Sequence, residues 1–124
     1  MIDIEYIYKT ISDILKPICD RIYIGYLPEQ IPDKAERYIC IGIGNISDRG
    51  AYCTSTMAFM LCVREKKSNI TDIRKINAIA NDVTSLFPIV DNKFTLTSPS
   101  QSDISNVGSF TTIYINSDLL IKKQ

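Results

Sequence analysis

The residues most suggestive of chemistry are Gly42, Gly44 and Ser47, which form a G-x-G-x-x-S after the isoleucine-rich run 38–43. A glycine loop cradles phosphate when a strand enters it and a helix leaves it. The backbone N–H groups and dipole of the helix start then face the anion. Here the strand enters, but residues 49–56 (Arg-Gly-Ala-Tyr-Cys-Thr-Ser-Thr) are rich in beta-branched and aromatic side chains and lack three-to-four periodicity. No helix is expected there. Ser47 stands where the third glycine belongs, and the phosphate-loop lysine is missing. Gly42 and Gly44 fall two apart on one strand face, where they would let a helix or a second chain approach the sheet closely.

Other chemistry has less to work with. The chain has no histidine, the commonest general base and zinc ligand. Its four cysteines, Cys19, Cys40, Cys53 and Cys62, include no close pair and sit among apolar neighbours, as in Ile39-Cys40-Ile41 and Leu61-Cys62-Val63. They read as buried thiols, neither zinc ligands nor activated nucleophiles. Aspartates are scattered from Asp3 to Asp118 without a D-x-D or D-x-x-x-D constellation in an apolar setting. They read as helix caps and solvated faces. The expectation is therefore no catalytic residue, no cofactor and no metal.

The elements around these residues are plainer. Ile4, Ile7, Tyr8, Ile11, Ile14, Leu15 and Ile18 recur at steps of three and four, which predicts an amphipathic helix with Asp3 as N-cap and Pro17 near its end. Residues 21–27 alternate as a strand, residues 28–36 with two prolines read as an exposed loop, and 37–43 is a second strand. Residues 45–50 are a polar turn. The run 51–64 is a long strand, at least half apolar on both sides, and is expected at the centre of a sheet covered on both faces. A charged run, 64–69, ends it. Ile70, Ile73, Ile76, Ile79, Ala80, Val83, Leu86 and Phe87 mark a second helix stopped by Pro88, with Asp72, Arg74, Lys75, Asn77, Asn81 and Asp82 toward water. A short strand at 93–97, a polar loop at 98–106 and a closing strand at 107–115 follow, and residues 117–124 read as a tail that hangs free or docks on a neighbour.

The sum is one α+β domain over 1–124: a mostly antiparallel sheet of about five strands packed with two amphipathic helices, in the order α-β-β-β-α-β-β. Fourteen basic and fourteen acidic residues leave no net charge. That argues against sequence-specific nucleic-acid binding and does little to keep copies apart. Acidic residues near the amino terminus and the absence of an apolar run of about 18 residues argue against a signal peptide and a membrane span, which places the chain in a cytoplasm.

The organisation carries a resemblance. A leading amphipathic helix precedes a strand and proline-bearing loop, YLPEQIPDKAERYICIGIGN. A long strand then runs into charge, AFMLCVREKKSN, and at once into a helix, ITDIRKINAIANDVTSLF, before the closing strand VGSFTTIYIN. In this the chain resembles the tail terminator (tail completion) proteins of tailed bacteriophages and their prophage relatives. The resemblance implies a non-enzymatic virion tail protein assembled in the bacterial cytoplasm. Its protomers form a ring, typically of six, that caps the tail tube and meets the head connector, so its partners are its own copies, the tube protein and connector proteins. Two alternatives remain open, a host-encoded α+β binding module of unknown partner and a small metal-dependent nuclease.

Three surfaces suit such assembly. The charged run Arg64, Glu65, Lys66 and Lys67 carries both signs and can set the orientation of an adjacent copy. The loop 98–106, with Ser100, Asp103 and Asn106, is longer than a compact domain needs. The strand 107–115 could lie at a sheet edge and pair across subunits.

Overall fold

A computed structural model describes residues 2–25, 36–65 and 73–123. The proline-bearing loop lies outside them except for Glu36, as do Lys66, Lys67 and the first residues of the expected second helix.

The first helix, α1 (Ile4–Leu15), starts as its sequence requires: the Asp3 carboxylate accepts the Tyr6 N–H at 3.0 Å and caps the helix, a contact typically worth about 1 kcal/mol. Its three-to-four stripe buries Ile7, Ile11 and Leu15. The second helix, α2 (Ile73–Thr84), buries Ile76, Ile79, Ala80 and Val83. Arg74, Lys75, Asn77, Asn81 and Asp82 face water as expected, but Ile73, counted with the apolar stripe, is 56% exposed.

Eight strands lie among the described residues: β1 (Ile22–Ile24), β2 (Arg37–Ile43), β3 (Ser47–Asp48), β4 (Tyr52–Arg64), β5 (Ile89–Val90), β6 (Phe94–Gln101), β7 (Ser105–Val107) and β8 (Phe110–Lys122). They form one sheet curled into a half-barrel, ordered β1-β2-β4-β8-β6-β5, with β3 added to β4 and β7 to β8. β1 runs parallel to β2; every other pairing is antiparallel.

This overturns the expected sheet of about five strands in the order α-β-β-β-α-β-β: among the described residues the strands number eight and the order is α-β-β-β-β-α-β-β-β-β. The polar turn at 45–50 contains β3. The loop at 98–106 shrinks to residues 102–104, because β6 continues through an irregularity between Thr97 and Ser100, where Ser98 takes a φ of 56°, and β7 begins at Ser105. The closing strand is the long β8, which runs through the residues read as a tail that hangs free or docks on a neighbour and ends at Lys122. Nor does it lie at an edge, since β4 pairs along its whole length on one side and β6 and β7 on the other.

β4 is central, as expected, but its two faces are not equally covered. Met57, Phe59, Leu61 and Val63 lie in one core with both helices, Ile39 and Ile41 of β2, Phe94 and Leu96 of β6, and Ile113, Ile115, Leu119 and Ile121 of β8. On the opposite face Thr54, Ala58 and Met60 are only half-buried and Thr56 is exposed. A satellite cluster of Tyr38, Cys40, Cys62 and Phe110 covers one end of that face, and no helix among the described residues packs on the remainder.

Candidate functional site

The uncovered sheet face carries a surface groove of about 640 Å³, lined among others by Asn45, Ser47, Thr54, Thr56, Thr97 and Asp118. Strand register builds it. Thr54 and Thr56 of β4 lie opposite Leu120 and Asp118 of β8, which in turn lie opposite Thr95 and Thr97 of β6. The β3 hairpin forms one wall, held by a 2.7 Å ion pair from Lys123 Nζ to Asp48 Oδ1. That ammonium, followed by the Gly50 N–H, holds the Asp48 carboxyl below its usual range, and the Asp48 carboxylate raises Lys123 in return. The lining offers hydroxyls, the Asn45 amide and one carboxylate, a set that can hydrogen-bond a surface.

The thiols lie elsewhere. All four are free and buried. Burial pushes Cys40 up to about 11 and also raises Cys19 and Cys62. Cys19 Sγ donates to the Arg21 carbonyl at 3.5 Å, and Cys62 Sγ lies 3.6 Å from Thr112 Oγ1. Protonated, buried sulfur is a poor nucleophile. Tyr38, buried beside them, is raised well above the tyrosine range, first by burial and then by its hydrogen bond with Cys62. Among the described residues no group of three His, Cys, Asp or Glu side chains converges closely enough to hold a metal ion, and no helix is long and apolar enough to cross a membrane.

The glycine loop is a strand-to-strand connection: β2 enters, and β3 and β4 follow. A Cβ on Gly42 would meet open space, whereas one on Gly44 would come within 2.8 Å of Thr56 Oγ1. The close approach at Gly44 is therefore by a side chain of the neighbouring strand, and neither glycine is packed by a helix.

The residues singled out for assembly do not form one patch. Arg64 ends β4 with its guanidinium 4.7 Å over the Phe110 ring, and the Glu65 N–H donates to the Ser109 carbonyl at 2.8 Å. Asn106 sits near them, because β7 places it opposite Thr111, next to Phe110. Ser100 lies opposite Asn116, six residues farther along β8, or about 20 Å at the rise of a strand. Asp103 is exposed in the short connection between β6 and β7. Lys66 and Lys67 lie outside the described residues.

The sheet edges carry what sequence reasoning missed. Among the described residues β1 and β5 are the two terminal strands, and each presents a large apolar side chain to solvent: Ile24 is 55% exposed and Val90 is 72% exposed. Near Ile24 an apolar groove of about 600 Å³ runs along the outer stripe of α1, past Ile4, Tyr8 and Ser12. Near Val90, the Tyr6 hydroxyl donates to the Asp91 carboxylate at 3.0 Å and Lys93 Nζ lies 4.3 Å over the Tyr6 ring, which ties the start of α1 to the β5–β6 turn.

No protein-family model and no curated protein matches the sequence. Solved structures are similar to the chain; one of them has a TM-score of 0.66 over 94% of this chain and 90% of that one, at 12% identity. At that identity the likeness shows a shared fold and nothing of function.

Proposed function

We propose that this chain is a structural subunit of a phage or prophage tail, a ring-forming protein that caps the tail tube and joins it to the head connector. The observation that carries the reading is the placement of Ile24 and Val90 on opposite terminal strands of one sheet. A contact between the β1 edge of one copy and the β5 edge of the next would cover both, and such a head-to-tail contact closes into a ring when its rotation allows. The sequence organisation that resembles tail terminators supplies the particular role. Magnitudes favour assembly on a template. Covering an Ile and a Val contributes at most about 1.5–3 kcal/mol each, against an association cost of about 4–15 kcal/mol. Copies in dilute solution should then be monomeric and should gather at high concentration or on a tube end. Light scattering over a concentration series, with and without assembled tube protein, tests this. Growth in mass with concentration and binding to tube ends are expected; a strict monomer that ignores tube ends overturns the reading.

A second reading, a small binding module, is favoured by the uncovered threonine-lined groove. Substituting Thr56 and Thr97 by Lys separates the two: it should leave edge-driven assembly intact and abolish binding of any partner seated on that face.

A further inference from the structure

No further inference is drawn: the strongest candidate, the apolar groove along the outer stripe of α1 between Ile4, Tyr8 and Ile24, has nothing in the structure to show what covers it.

Discussion

Phe59 is fully buried beneath the helices and meets Phe87 edge-on, with ring centroids 5.9 Å apart. Phe59→Ala should cost roughly 3–5 kcal/mol, as large-to-small core changes do, and urea denaturation will read it; a loss below about 1 kcal/mol would mean that β4 is not the centre of the core. Thr111 tests the opposite sign. It is fully buried, and its Oγ1 has no hydrogen-bond partner among the described residues. An unsatisfied buried hydroxyl costs about 1–3 kcal/mol, so Thr111→Val should leave stability unchanged or raise it by roughly 1 kcal/mol on the same assay. Cys40 gives a pH dependence. Its folded thiol is raised to about 11 from an ordinary value near 9. The unfolded chain therefore ionises first, and the contribution is intact below pH 9 and lost as pH rises through 11. Melting curves from pH 8 to 11 should show that decline, and Cys40→Ala should make it shallower, the raised Cys19, Cys62 and Tyr38 supplying the remainder. Much at this scale was legible in the sequence. Alternation marked Met57, Phe59, Leu61 and Val63 as one face, and apolar neighbours marked the thiols as buried.

Elements were legible where the pattern was unbroken and lost where one residue interrupted it. α1, β2 and β4 follow uninterrupted periodicity, and their bounds match expectation closely. β8 alternates Ile113, Ile115, Ser117, Leu119 and Ile121 toward the core, but Asn116-Ser117-Asp118 reads as the end of a strand. The structure keeps Ser117 inside by letting its hydroxyl donate to the Met57 carbonyl at 3.0 Å. That long-range bond has no local signature. Likewise Ser98-Pro99-Ser100 reads as a loop, yet it is a bulge of β6 within its ladder to β8, where one extra residue is taken up without ending the strand. A chain ending at Asn116 tests the revised view. It would lose Leu119 and Ile121, about 1.5–3 kcal/mol each, together with the part of the β8 ladder that pairs residues 117–122 with β4 and residues 118–121 with β6. Against a typical domain stability of 5–15 kcal/mol, that loss should leave little cooperative folding. A truncated chain that still melts cooperatively within a few degrees of the full one would return residues 117–124 to the role of a tail.

At the scale of the whole molecule, the candidate contact was hidden because exposure at an edge depends on strand order. Ile24 reads as an ordinary strand residue and Val90 falls between the expected second helix and the strand 93–97, until β1 and β5 prove to be the terminal strands among the described residues. Their separation on one sheet makes a prediction that a two-fold contact does not share. Ile24→Glu and Val90→Glu should each abolish assembly alone, because every junction in a head-to-tail ring uses one β1 edge and one β5 edge. Mixed in equal amounts, the two variants have one intact junction available, formed by the Val90 edge of the Ile24→Glu chain and the Ile24 edge of the Val90→Glu chain. They should therefore form a 1:1 dimer that cannot grow, because the remaining free edges are both charged. Sedimentation of the mixture at the highest soluble concentration reads the outcome directly. A mixture that restores the full assembly, or single variants that assemble normally, would show that these edges do not meet in a head-to-tail junction.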